Sequence, residues 1–247
     1  MERIARVHHE AVAGAGAVIV LDPEETHHVV RVLRVRPGDR VSVFDGKGRE
    51  WEAVLVSAER SGAEVRTITE IPGRVDPVLE VVLYQALCRP ERMEWLIQKG
   101  TEVGLAAIRP FAARRSEASV PSAERMKRFR RVALEGAKQS GRRVVPEVAE
   151  PVDTVPPPPG GTRALWLDTA PGARPLGEHL AGPKPRAVWL LVGPEGGFDP
   201  DEATAFEASG WLAAGLGPRT LRTETAGAIA AALVLHAWDD LGPARRA

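Results

Sequence analysis

Residues 190–202, LLVGPEGGFDPDE, run from an apolar stretch through Gly193, Pro194, Glu195, Gly196 and Gly197 into a helix start. The apolar stretch reads as a buried strand. Beyond the bend, Asp199 is placed to cap a helix, Pro200 suits its first position, and Glu202 completes a capping box. Carboxylates there satisfy the helix's free amides and repel a phosphate. A P-loop needs a terminal Gly-Lys-Ser/Thr and a dinucleotide fingerprint needs GxGxxG, and neither is present. The nearest approach, Gly14–Ala17, lacks the third glycine. The bend therefore excludes a phosphate. It suits a flat, neutral or cationic ligand approached by main chain, although a plain strand-to-helix turn also fits it.

A second bend has the same layout. In GLGPRTLRTETAGAIAAAL, 215–233, a glycine-ended strand gives way to a polar turn and then a helix. Thr223 or Thr225 can cap that helix, whose first turns carry almost no side-chain bulk and can pack against a backbone. Arg219 and Arg222 lie in the turn, where a buried guanidinium needs an anionic partner from protein or substrate.

The rest of the chain divides in two. Residues 1–72 read as short strands and turns, with Asp45-Gly46 marking a hairpin and residues 23–36 one short helix. A Pro/Gly linker follows at 71–77. From residue 78, strand and helix patterns alternate, which predicts an α/β domain with a largely parallel sheet and ligands at the strands' carboxyl ends. Formal net charge is zero, yet 114–143 hold 10 Lys/Arg against 3 Asp/Glu, a strip that attracts phosphates if it folds onto one face and is otherwise a solvated helix face. Cys88 is the only cysteine, which excludes a disulfide framework and a thiolate metal cluster; its apolar neighbours predict a core residue. No metal site is expected from the adjacent His27 and His28. With no run near ~20 apolar residues, a cytoplasmic protein without membrane association is expected.

The two bends together, LVGPEGGFDPDE and LGPRTLRTETAGAIA, resemble the 16S ribosomal RNA uracil-N3 methyltransferase family of the SPOUT superfamily. QKGTEVGLAAIRPFAARRS (98–116) and EGAKQSGRRVVPEV (135–148) extend the resemblance, and HHVVRVLRVRPGDRVSVFDGKG (27–48) is similar to the family's N-terminal barrel. Thr220 departs from it, standing where an aliphatic residue is expected.

The resemblance implies a fold: a small PUA-like β-barrel RNA-binding domain over 1–72, then a SPOUT-type α/β methyltransferase domain with a C-terminal trefoil knot over 73–247. It also implies S-adenosyl-L-methionine as cofactor, bent between loops at Leu167–Asp168, Gly193–Gly197 and Leu216–Ala226. The implied cofactor contacts are Leu167, Gly193, Pro194, Glu195, Gly196, Leu216, Gly217, Leu221, Arg222, Thr225 and Ala226. A sulfonium cation without phosphate agrees with the acidic helix start.

Methylating N3 of uracil in 16S rRNA requires loss of the ring proton. Arg222 is then expected to stabilise the developing negative charge, and Glu224 or Glu195 to accept the proton, unless Glu195 merely caps backbone within its bend. N3 lies on the Watson–Crick edge, so the target base must be unpaired or pulled from its stack. Implied RNA contacts are Arg31, Arg34, Arg36, Arg114, Arg115, Gln139, Arg142 and Arg143. A homodimer through the knot domain is expected, with the small ribosomal subunit as partner. A SPOUT enzyme with another RNA target and a non-catalytic ribosome-assembly factor are the competing readings.

Overall fold

The computed structural model describes residues 4–59, 62–73, 75–170 and 172–241. They form two compact units: one of residues up to Asp76 with Ala137–Val145, the other of Pro77–Gly136 with the residues from Pro146 onward. The last six residues of the predicted second domain lie outside the described residues.

The first unit is a five-stranded sheet. Strands β1 (Ala5–His8), β2 (Val18–Val20), β3 (Arg40–Phe44), β4 (Glu50–Glu59) and β5 (Gly62–Glu70) stand in the order β1-β3-β4-β5-β2. All pairings are antiparallel except β1 with β3. Alternating residues from these strands (Val7, Ile19, Val41, Val43, Ala53, Leu55, Val65) close on one apolar core. The predicted hairpin at Asp45-Gly46 joins β3 to β4. The predicted 23–36 helix is shorter than expected: α1 spans Pro23–His27, one π-type turn follows over His28–Val32, and Arg34 adopts a positive φ of 58° that a continuing helix forbids.

No pattern in the sequence assigns Ala137–Val145 to this unit; buried ion pairs hold it there. Arg6 Nε and Arg143 Nε bind the two oxygens of Glu50 at 2.7 and 3.1 Å, Arg142 Nε binds Asp76 at 2.8 Å, and Lys138 Nζ binds Glu25 at 2.7 Å. Arg6 also donates to the carbonyls of Ala137, Lys138 and Arg142.

The second unit has a six-stranded, all-parallel sheet in the order β11-β9-β10-β6-β7-β8, from β6 (Glu80–Ala86), β7 (Ala107–Phe111), β8 (Glu147–Val148), β9 (Thr162–Leu167), β10 (Ala187–Val192) and β11 (Leu212–Ala214). Its helices are α2 (Pro90–Val103), α3 (Ala123–Ser140, whose last turn belongs to the first unit), α4 (Leu176–His179), α5 (Pro200–Ala208) and α6 (Thr223–Ala237). The apolar stretch predicted as a buried strand is the end of β10, and both β10 and β6 are buried along almost their whole length. Gly104 ends α2 with φ 121°, a backbone conformation that favours glycine. No helix of the described residues is long and apolar enough to cross a membrane.

Order and register place the site. Strand β10 sits between β9 and β6, so consecutive strands cross over where sheet order reverses. In register, Val192 stands opposite Gln85, Leu191 opposite Trp166, and Ala214 opposite Leu167. The segments leaving β6, β9, β10 and β11 thus start at nearly one level along the sheet's carboxyl edge.

Candidate active site

Three loops converge at that edge. After β9, Asp168 N–H donates to Ala214 O at 3.0 Å. After β11, Gly215 exchanges hydrogen bonds with Arg174 O and Leu176 N–H at 2.9 Å each, and a Cβ on Gly215 would lie 3.2 Å from Ala173 O. A side chain there would push the two segments a few tenths of an ångström apart. After β10, Gly197 N–H closes a turn on Pro194 O at 2.9 Å, with Gly197 at φ 69°. The predicted capping box is present: Asp199 accepts from Asp201 N–H, and Glu202 accepts from Asp199 N–H at 2.9 Å.

A polar chain ties these loops to the sheet. Gln85, fully buried on β6, donates from Nε2 to Thr223 Oγ1 at 2.7 Å, and Thr223 donates onward to Gly193 O at 2.6 Å. Thr223 therefore does not cap α6, and nor does Thr225. The N-cap is Arg222 without a side-chain bond, because the Thr223 hydroxyl is committed to the neighbouring bend. Two buried acceptor atoms at this edge, Gln85 Oε1 and Glu224 Oε2, have no hydrogen-bond partner among the described residues.

Arg92, in the first turn of α2, reaches the same place. Its Nη1 pairs with Glu195 Oε1, and its Nε lies 3.9 Å from Glu224 Oε1. Burial, with the Glu195 and Glu224 carboxylates beside it, pushes the Cys88 thiol up to about 12 against the pull of Arg92, so the thiol stays neutral. Sequence reasoning missed Arg92, Gln85 and Thr223 as a set. The sequence signal was positional: Gln85 and Arg92 flank the carboxyl end of a central strand and the opening of the helix after it.

Of the residues expected at the cofactor loops, Leu167 is the last residue of β9, Gly193, Pro194, Glu195, Gly196, Leu216, Gly217, Leu221 and Arg222 lie on the loops leaving β10 and β11, and Thr225 and Ala226 lie in the first turn of α6. Arg219 and Arg222 are exposed, so the cost of a buried guanidinium does not arise for them. Neither side chain has a hydrogen-bond or ion-pair partner among the described residues.

The basic strip is different from expectation. Arg114 binds Asp199 and Asp201 at 3.2 and 2.9 Å, and Arg115 binds Gly196 O and Asp199 at 3.3 and 3.4 Å. Arg125 and Arg128 share Glu94, while Arg130 pairs with Glu150. Arg142 and Arg143, expected to face RNA, are 6% and 7% exposed and held by Asp76 and Glu50 in the first unit. Burial and committed carboxylates remove these two from any surface contact. Gln139 is exposed, and so are Arg31, Arg34 and Arg36, whose side chains carry no carboxylate partner among the described residues. No cluster of His, Cys, Asp and Glu able to hold a metal occurs among the described residues.

The family profile for an RNA methyltransferase domain matches residues 75–235, and that for an RNA methyltransferase PUA domain matches residues 21–68. The ribosomal RNA small subunit methyltransferase E of Mycobacterium bovis is 35% identical over 240 residues, 91% of this chain and 89% of that protein. The chain belongs to this family of RNA methyltransferases. A second relative of the same name, from Bacillus subtilis, is 30% identical over 82% of this chain and 84% of its own. Among solved structures, the ribosomal RNA small subunit methyltransferase E of Neisseria gonorrhoeae, bound to S-adenosyl methionine, superposes with a TM-score of 0.88 at 30% identity, covering 95% of this chain and 98% of that one. The fold is accordingly the SPOUT-type α/β domain with its C-terminal trefoil knot, preceded by a PUA-like barrel. Knots are rare among proteins, and no local pattern of residues encodes one.

Proposed function

We propose that the chain is an S-adenosyl-L-methionine-dependent methyltransferase that methylates N3 of a uridine in 16S rRNA of the small ribosomal subunit. The observation that carries the reading is the convergence of three main-chain loops and α6 at the carboxyl edge of β6, β9, β10 and β11, with an acidic rim and no phosphate cradle. The residues fit the cofactor. Space is open where a Cβ would stand on Gly197 and on Gly217, so main chain can meet a ligand directly. Glu224, whose cation neighbour Arg92 stands 3.9 Å away, favours a sulfonium cation, and the open acceptor on Gln85 calls for a donor.

S-adenosylmethionine supplies an electrophilic methyl, the new N–C bond forming as the S–C bond breaks and leaves its electron pair on sulfur. The chain's own residues hold the base, stabilise its charge and take its proton. Arg222, exposed at the mouth of α6 with no partner among the described residues, is placed to meet the negative charge that spreads onto the uracil oxygens. Glu224 or Glu195, the two carboxylates that Arg92 draws together at this edge, takes the departing proton. Arg31, Arg34 and Arg36 offer free cations to RNA phosphates. Trp95 on α2 with Ile229 and Leu233 on α6 leave apolar surface exposed on two helices that pack together, in keeping with a homodimer through this domain. A cytoplasmic location follows from the substrate.

The test is methyl transfer to small ribosomal subunits that lack N3-methyluridine, with the nucleoside product identified by mass spectrometry. Wild type is expected to yield N3-methyluridine, and Arg222→Ala to lose about 10²–10³-fold in kcat with little change in affinity for the cofactor. Tight binding to subunits or their free RNA with no methyl transfer would establish an assembly factor instead.

A further inference from the structure

We infer that Arg92 is a positioning residue that divides the work of the two carboxylates: it engages Glu195 and sets Glu224 as the proton acceptor. The inference rests on the N3 reading above and deepens it.

Three separate elements deliver the group. Arg92 comes from the first turn of α2, Glu195 from the bend after β10, and Glu224 from the first turn of α6. The guanidinium reaches Glu195 through Nη1 and Glu224 through Nε at 3.9 Å, so one fork faces both carboxylates. Their environments differ. The Glu195 side chain is 41% exposed and in direct hydrogen bond with Arg92, whereas the Glu224 side chain is 10% exposed and only loosely engaged. Glu224 Oε2 is buried and has no hydrogen-bond partner among the described residues.

A carboxylate oxygen left in that state needs a donor, and a substrate N–H fits the need. Glu195, already hydrogen-bonded to a cation, is the poorer acceptor. The backbone under Glu224 is fixed from the other side, because the adjoining Thr223 is clamped between Gln85 and Gly193 O. Arg92 therefore turns one oxygen of Glu224 toward itself and leaves the second free. The proton of N3 passes to Glu224 Oε2 as the N–C bond forms, and then to water.

The test is a double-mutant cycle on the full-length chain, scored as single-turnover formation of N3-methyluridine, with cofactor affinity measured separately by calorimetry. Glu224→Gln is expected to lose about 10²–10⁴-fold in rate. Arg92→Met is expected to lose rate while keeping its Kd for S-adenosylmethionine, and to cost almost nothing further in the Glu224→Gln background, because it acts through that residue. Arg92→Lys restores the charge without the fork and recovers part of the rate, a variant that still reports if Arg92→Met folds poorly. Losses that multiply in the double variant would overturn the inference, as would a rise in Kd that accounts for the whole loss. Wild type that forms no N3-methyluridine overturns the N3 reading and this inference with it. Wild type that forms it at the rate of Arg92→Met overturns this inference alone.

Discussion

Cys88 shows how sharply one residue's chemistry is set by its place. It stands just past β6, 4% exposed, and burial together with the Glu195 and Glu224 carboxylates pushes its thiol up to about 12. A thiolate forms there only far above neutral pH, so the sole cysteine of the chain is chemically silent while the fold is intact. Iodoacetamide at pH 8 is expected to leave the native protein unlabelled and to label one site fully in guanidinium chloride, as read by intact mass. Rapid labelling of the native protein would show that the β6 end opens. The same two carboxylates serve a different purpose on each side: they hold the thiol neutral and they make the acidic rim of the site.

At the scale of elements, the bend after β10 is constrained from inside. A Cβ on Gly193 would sit 3.1–3.2 Å from the Phe198 ring, which stacks on Phe111 and meets Trp166 and Phe206 edge-on. That half-buried ring must shift by a few tenths of an ångström against three aromatic neighbours to make room. Gly193→Ala is therefore expected to destabilise by about 1–3 kcal/mol and to weaken cofactor binding, read by thermal unfolding and calorimetry on the same samples. The alternation of strand and helix beyond residue 78 was legible in the sequence, and β6, α2, β7, α3, β9, β10, α5 and α6 follow it. The α5 capping box was legible because it is local, written in Asp199, Pro200 and Glu202. The cap of α6 was not, because Thr223 is drawn away by Gly193 and Gln85, residues 30 and 138 positions distant. Arg92 stayed hidden for the same reason: nothing within α2 says that Glu195 and Glu224 come to meet it.

At the scale of the whole chain, charge is the quantity the sequence misrepresents most. Its basic strip reads as an RNA surface, yet Arg114, Arg115, Arg125, Arg128 and Arg130 face carboxylates, and Lys138, Arg142 and Arg143 are buried in ion pairs. Linear counting fails because the acidic partners lie up to 113 residues away. Free cations at Arg31, Arg34 and Arg36 are then expected to carry much of the salt dependence of RNA binding. Replacing all three by alanine should flatten the slope of log K against log salt by about 0.7 for each phosphate no longer neutralised, measured by fluorescence anisotropy on a single-stranded RNA. An unchanged slope would place the RNA elsewhere.

Glu50 is where this buried charge governs stability. It accepts from Arg6 at 2.7 Å, Ser42 at 2.8 Å and Arg143 at 3.1 Å, while Arg143 also donates to the carbonyls of Ile71 and Gly73. Burial alone would raise its pKa, but the hydrogen bonds and charge of Arg6, with Ser42 and Arg143, outweigh it and hold the carboxyl below the usual carboxylate range. A folded-state pKa below the unfolded one means the stabilisation is present above the unfolded value, about 4.3, and is lost as pH falls through the folded value. Glu50→Gln leaves the buried Arg143 and the half-buried Arg6 without their countercharge, expected to cost about 3 kcal/mol at pH 7. The sign gives the check. Melting curves of wild type and Glu50→Gln, taken from pH 7 down to pH 3, should be far apart at neutral pH and converge in acid, as wild-type Glu50 itself takes up a proton. Curves that stay parallel to pH 3 would mean that the carboxylate's charge contributes little and that Glu50 acts in the first unit mainly as a hydrogen-bond acceptor.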